Sequence, residues 1–474
     1  MRLGALDAAL VIAYLAFLAA VALRRSPRRG GAAEYFLAGR RITLVPFVAS
    51  LASSWYGGIL GVGEYSFRYG LSNWLVFGVP YYLGAIVFGL FLARRAHESR
   101  FTTIPDALES AYGRAPAVAG AAILLVVTAP AAYVLMLGVL ARLAFGWPLA
   151  VGVVAGSLFS TVYLFRGGLR ADVITDLVQF VLMFLGFAIL VTVLAAEHGT
   201  VAFWRTNLPP EHLTWNGGRP AGAVLVWYVI ALSTLVEPSF YQRCFAARDA
   251  ATARRGVLLA VPFWFAFDAL TTSAGLYARA LLPDLPDAVA SYPALGAAVL
   301  PPGARGLFVL ALLATIMSTV DTYTFLAAQT AGRDLYGRLK GRAAAEDAAR
   351  WTRWGLVATC VLSIALALHF GSVIEIWHDL GSIATPALLV PVATALSRRW
   401  RLRPRWALAA MLAGGGVSFF WVMSGYVPAL RGSSDYLGGI EPIYPGLAAS
   451  IALFAAGRML RPGGVAEETR VREG

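Results

Sequence analysis

Charge is scarce in this chain. Only 14% of its 474 residues are Asp, Glu, Lys or Arg, and 59% are hydrophobic. Ordinary soluble proteins carry about 25% charged residues, so a water-soluble globule is excluded. Lysine is nearly missing, Lys340 being the one example. The net charge of +13 is therefore made by arginine. Those arginines form short clusters between apolar runs rather than a continuous basic face, which argues against nucleic acid as the partner and for the marking of a cytoplasmic membrane face. The two cysteines, Cys244 and Cys360, are too few for a disulfide framework. The five histidines have no ligand spacing, so no metal site is implied. The alternating ten-residue segments of a membrane β-barrel are also missing.

What is present is a succession of apolar runs of bilayer length. Lipid offers no partners to backbone polar groups, so these runs read as helices. The expected class is an all-α integral membrane protein of about 13 transmembrane helices. One helix covers 5–23. The next ten lie near 42–66, 73–93, 117–143, 148–165, 172–195, 221–241, 256–280, 304–330, 354–369 and 374–396, and two more near 407–424 and 441–457. The segment 6–23 reads as an uncleaved helix and not a signal peptide, because Arg24, Arg25, Arg28 and Arg29 follow its apolar core instead of preceding it. The positive-inside rule then puts the N-terminus outside and most arginines in cytoplasmic loops. An odd number of spans puts the C-terminus in the cytoplasm, with 462–474 as a short polar tail. The whole chain, 1–474, reads as one transmembrane domain without an attached soluble unit.

Ionisable side chains within spans are expensive and therefore mark function. Here they are Glu64, Asp172, Asp176, Glu237, Asp268, Asp321, Glu375 and Asp379. Asp172, Glu375 and Asp379 lie close to span ends and read as interfacial or structural residues. The main basic counterpart is Arg68, placed to pair with Glu64 at i,i+4. Acids without bases call for a cation or a proton. Two segments add detail. In 314–334, Ser318 and Thr319 stand on one helix with the carbonyl of Thr315 a turn before and Asp321 and Thr322 a turn after. That is a ladder of oxygens suited to a hard cation; the alternative is ordinary back-bonding to the i−4 carbonyl. In 49–63, Ser53, Ser54, Gly57, Gly58, Gly61 and Gly63 make a helix that is easily unwound at membrane depth, as at transporter binding sites. Close helix packing through small residues explains the same composition.

Four stretches, EYFLAGRRI (34–42), RGGLRADVITDLVQFVLMF (166–184), EPSFYQRCFAARD (237–249) and IMSTVDTYTFLAAQTAGRDLY (316–336), together resemble the sodium:solute symporter family, which includes the bacterial proline permease and the sodium–sugar symporters. The resemblance covers roughly 34–400. It implies a LeuT-type 5+5 inverted-repeat core, 42–195 and 221–396, with the extra N-terminal helix at 5–23 and two C-terminal helices across 407–457. It implies a sodium ion held by carbonyls of Leu51, Ser54 and Thr315 and by the hydroxyls of Ser318 and Thr319. Asp176, Asp321 and Thr322 fall where some members hold a second cation; two carboxylates there allow either Na⁺ or a proton. Ser53 stands where the proline permease has a carboxylate. The substrate is expected beside Trp55, Tyr56, Gly57, Thr234 and Glu237. The pocket aromatics of the proline permease are replaced by Ile230 and Thr234, so proline is not implied. Glu237 reads equally as an anchor for an amine or as part of an inner gate with Arg243.

The expected activity is Na⁺-coupled symport of a small polar solute by alternating access across the cell inner membrane. Na⁺ is the coupling ion and no organic cofactor is expected. The partners are the solute, sodium and the lipid bilayer, with a functional monomer. A proton-coupled carrier using Asp176 and Asp321 is the alternative. A membrane sensor on the same scaffold would want an output domain, and an enzyme would want a nucleophile–base or metal constellation; the sequence offers neither.

Overall fold

The computed structural model describes residues 4–23, 31–341, 347–369, 373–427 and 435–460. The tail 462–474 and the cluster Arg24, Arg25, Arg28 and Arg29 lie outside the described residues. Helices stand over every span expected from sequence, and the described residues contain no strand. Nine helical stretches are long and apolar enough to cross a membrane, with five shorter apolar helices beside them, among the described residues. The centre is occupied by Ala304–Gln329. Its apolar window, which runs on to Lys340, is 89% buried, against 33% for Gly167–His198 at the periphery. Outward-facing residues such as Val162, Val181, Phe265 and Val361 are exposed, as a lipid-facing surface requires.

The N-terminal helix Ala5–Leu23 is anchored to this centre. Asp7 is buried and accepts hydrogen bonds from the backbone N–H groups of Gly303 (2.8 Å) and Gly306 (2.9 Å), besides pairing with Arg305 at 2.9 Å. A carboxylate at the N-terminus of Ala304–Gln329 satisfies N–H groups that have no partner within the helix.

Two helices are interrupted. The expected span 42–66 is two half-helices, Leu44–Ser53 and Ile59–Tyr69, joined by Ser54–Gly58. Serine and glycine are poor helix formers, and the glycines have a packing role too. A Cβ on Gly57 would lie 2.4 Å from Cβ of Thr319, and one on Gly58 would lie 1.9 Å from the ring of Trp377. The expected span 221–241 is also divided: Ala221–Ile230, a 3-10 stretch Ala231–Val236, then Pro238–Ala246. Pro238 disfavours a helical residue before it, and Glu237 is extended (φ −69°, ψ 115°) with its side chain capping the N–H of Ser239. The spans 148–165 and 172–195 form one helical run, Leu149–His198, which bends at Gly168. Gly168 has φ 55°, a left-handed value that only glycine adopts cheaply.

Beyond Gln329 the central helix continues as a π-helical turn, Thr330–Tyr336. There Arg333 and Arg338 pair with Asp334 and reach across to Asp106, at 2.9 and 2.6 Å respectively. Asp106 in turn accepts from the backbone N–H groups of Thr102 and Thr103 and so fixes the start of Ile104–Tyr112. Both cysteines are buried and free.

Candidate functional site: two broken helices over a buried ion cluster

The first break faces the central helix. Ser318 Oγ donates to the carbonyl of Ser53 at 2.7 Å and contacts the carbonyl of Thr315 at 3.1 Å. Leu44–Ser53 stops there, so the carbonyls of its last turn, Leu51 among them, run out of helical donors. Ser54 Oγ bonds back to the Ser50 carbonyl at 2.7 Å, and Thr315 Oγ1 to that of Ala311 at 2.7 Å. Those two hydroxyls follow the ordinary back-bonding pattern. Thr319 does not: its hydroxyl is buried against Gly57 and has no hydrogen-bond partner among the described residues. An unsatisfied buried hydroxyl costs about 1–3 kcal/mol. Ser318 and Thr319 thus face the end of Leu44–Ser53 and Gly57, and the Thr319 hydroxyl is the one without a partner among the described residues.

A second cluster sits beside it, and it corrects the sequence reading. Arg243 was expected at an inner gate with Glu237. Instead its side chain is fully buried and pairs with Asp172 (3.1 Å) and Asp176 (3.4 Å). Its Nη2 also donates to Thr322 Oγ1 at 2.7 Å and Ser50 Oγ at 3.0 Å, and Nη1 to Gln242 Oε1 at 3.0 Å. Ser50 Oγ donates to Asp176 Oδ2 at 2.5 Å, and Thr322 Oγ1 to Asp172 Oδ2 at 3.0 Å. Asp172, read from sequence as interfacial, is completely buried. Its place one helical turn before Asp176 carries both carboxylates to the same face. Asp321 stands apart, accepting from Ser160 Oγ at 2.6 Å. The acids are therefore not without a base; the base lies on the second broken helix, about 70 residues further along the chain.

Above these clusters a cavity opens between the breaks. Trp55, Tyr56, Glu237 and Ile230 line it as expected, but Gly57 and Thr234 do not. Gly57 is pressed onto Thr319 and Tyr133, and Thr234 is turned onto Gly84. The residues that sequence reasoning missed are Tyr81, Tyr133, Tyr323 and Trp377; Asp268, singled out as an in-span acid, lines the cavity too. Tyr323 was detectable as the residue after Thr322 on the central helix; the others come from helices without a motif. Glu237 Oε1 accepts from Tyr323 Oη at 2.9 Å and from the Ser239 N–H at 3.2 Å. Asp268 accepts from the hydroxyl of Tyr82.

The remaining acids are resolved simply. Glu64 pairs with Arg68 at 3.0 Å, as the i,i+4 spacing indicated. Asp379 is buried, contrary to the interfacial reading, and accepts from Tyr426 Oη at 3.0 Å beside His378, which also contacts Glu441 at 3.0 Å. Glu375 is exposed, in agreement with that reading.

Discontinuous membrane helices that meet around a cavity are the arrangement of secondary carriers of the LeuT-type fold. The chain belongs to the sodium:solute symporter family, whose pattern it matches over residues 35–414. It is 26% identical over 469 residues to the sodium/pantothenate symporter of Escherichia coli, covering 94% of this chain and 95% of that one. It is also 26% identical to the high-affinity proline transporter PutP of Bacillus subtilis, over 90% and 92% of the two chains. Among solved structures it superposes on a Na⁺-coupled sialic acid symporter, in a substrate-bound outward-open state, with a TM-score of 0.78 at 16% identity, covering 96% and 97%. That likeness shows the fold. The protein is a multi-pass membrane transporter and not an enzyme.

Proposed function

We propose that this protein carries a small polar organic solute across the cell membrane by Na⁺-coupled symport and alternating access. The observation that carries this reading is the junction of the first broken helix with Ala304–Gln329, where the buried hydroxyl of Thr319 lacks a protein partner beside Ser318 and the unwound end of Leu44–Ser53. Na⁺ is held by the carbonyls of Leu51, Ser54 and Thr315 and by the hydroxyls of Ser318 and Thr319. It draws the two helices together and sets the adjacent cavity for solute. Coupling is reciprocal, so each ligand tightens the other by the same factor.

The two breaks fall at the first helix of each half, which favours inverted repeats at 42–195 and 221–396, with 5–23 and 407–457 as accessory helices of one functional monomer. The N-terminus is outside and the C-terminus cytoplasmic. Thr322 and Asp176, expected to hold a second cation together with Asp321, are already in contact with the guanidinium of Arg243. That favours one Na⁺ per cycle. Binding of ²²Na⁺ to the purified protein tests the reading: one saturable site, weakened in Thr319→Ala, is expected. Solute binding that follows pH and ignores sodium would instead make the protein a proton-coupled carrier.

A further inference from the structure

The cavity between the broken helices has an unusual charge. It holds two carboxylates, Glu237 and Asp268, and no Arg, Lys or His lines it among the described residues. Asp268 spends one oxygen on the Tyr82 hydroxyl. Glu237 is the more available of the two. The hydrogen bonds from Tyr323 Oη and the Ser239 N–H fall on Oε1, and the Ser239 side chain lies beside the same carboxylate. Among the described residues no donor reaches Oε2, and the side chain faces the cavity. Arg243, six residues along, makes its direct ion pairs with Asp172 and Asp176 and acts on Glu237 only through its charge at longer range.

The walls around Glu237 are aromatic. Tyr133 and Tyr323 lie 5.3 Å apart, Trp377 lies 6.3 Å from Tyr133, and Trp55 packs 5.5 Å from Tyr81. Ring faces attract cations, most strongly where water is excluded. A carboxylate oxygen without a protein donor, at membrane depth, needs a positive partner.

We propose, resting on the symporter reading above, that the transported solute carries a cationic nitrogen, a protonated amine or a quaternary ammonium, which docks on Glu237 Oε2 within the cage of Trp55, Tyr81, Tyr133, Tyr323 and Trp377. The same arrangement rejects a net anion. It therefore separates this chain from pantothenate, a carboxylate, despite the similarity to the symporter that bears that name.

The test uses the full purified chain and two matched sets of probes: pyrrolidine, cyclopentanol and cyclopentanecarboxylate; and choline, 3,3-dimethyl-1-butanol and 3,3-dimethylbutyrate. Each set keeps a skeleton and changes the charge. Binding of ²²Na⁺ is measured alone and with each probe, and thermal protection by each probe is measured with and without sodium. The expected result is that the cation of at least one set tightens sodium binding and protects the protein, with its alcohol and carboxylate partners about ten-fold weaker or more, the scale of one charge-assisted hydrogen bond. Glu237→Gln keeps an acceptor for Tyr323 and Ser239, retains sodium binding as its check of folding, and loses the preference for the cation. Equal or better binding of an alcohol or carboxylate overturns the proposal. So does silence of both cations, or an unchanged preference in Glu237→Gln. Failure of the symporter reading is seen separately, in the arm without solute, as absence of sodium binding; a cation preference persisting without sodium would then uphold the cavity assignment by itself.

Discussion

Asp172 and Asp176 stand around the guanidinium of Arg243, whereas Glu237 and Asp268 take their hydrogen bonds from tyrosine hydroxyls and a backbone N–H. Both pairs are in the membrane interior, and both are built by side chains from different helices. The difference is in what the charge is left to do. In the first cluster a fixed positive group is supplied by the protein itself, and it ties Pro238–Ala246, Leu149–His198 and the central helix into one unit. In the second, hydroxyl and backbone donors orient the carboxylates and no guanidinium pairs directly with them among the described residues, which is why a cationic solute is proposed to dock there. One arrangement consolidates the scaffold and the other leaves the cavity ready for cargo.

The largest effect is expected from removing the internal base. Arg243→Met leaves two buried carboxylates uncompensated and is expected to cost about 3–5 kcal/mol, seen as loss of folded protein in detergent. Combining it with Asp172→Asn and Asp176→Asn is expected to restore folding. If Arg243→Met alone folds normally, the two clusters do not differ in the way described. Next comes Gly58→Ala. Its new methyl has to displace the Trp377 ring, an overpacking cost of about 1–3 kcal/mol, and solute uptake should fall more than sodium binding because Trp377 lines the cavity.

The sodium junction gives a finer test. Ser318→Ala removes a hydrogen bond to the Ser53 carbonyl, so it should cost about 1 kcal/mol of stability and also weaken sodium. Thr319→Ala removes a hydroxyl that has no protein partner. It should leave the unfolding temperature unchanged or raised, yet increase the sodium concentration for half-maximal uptake about ten-fold, the equivalent of 1.4 kcal/mol. Equal destabilisation by both, with normal sodium dependence, would remove Thr319 from the site.

The smallest effect concerns the surface pair network at Asp106. Burial opposes ionisation of Asp106, but Arg333 and Arg338 more than offset it, and its carboxyl is held below the usual range. A lowered value in the folded state means that this contribution is complete at neutral pH and is lost only as pH falls through that lowered value. Thermal unfolding followed from pH 7 down into the acid range should show the loss in the native protein and not in Asp106→Asn.

The helices were readable in sequence because each apolar run has to satisfy its own backbone in lipid. The first break was readable for a related reason: Ser53, Ser54, Gly57 and Gly58 cannot hold a helix as firmly as their neighbours. The oxygens of Ser318 and Thr319 came from local spacing on one helix, which survives folding unchanged. The partners of Arg243 were not legible because Asp172 and Asp176 lie about 70 residues earlier, and nothing local reveals which carboxylates a buried guanidinium will meet. Thr234 and Gly57 were assigned to the cavity because local sequence shows where a helix is weak and not which neighbour each residue meets: Gly57 packs on Thr319, and Thr234 turns onto Gly84. Tyr81, Tyr133 and Trp377 were missed because they stand on unbroken helices with no motif, and only packing brings their rings to Glu237.

The π-helical turn Thr330–Tyr336 sets the angular phase of everything beyond it. A helix advances about 100° per residue, and a turn with an extra residue works like a tooth inserted in a gear: the shaft above keeps its orientation while the part below is rotated. Straightening the turn with all its residues kept would swing Arg333 and Arg338 roughly a quarter of a revolution or more away from Asp106, whereas deleting Ala331 as the turn straightens would keep them facing it. The transmembrane half carrying Ser318, Thr319 and Thr322 would not move. The junction at Ser318 and Thr319 and the arginine–carboxylate pairs, though they share one rod, can therefore be phased independently of each other.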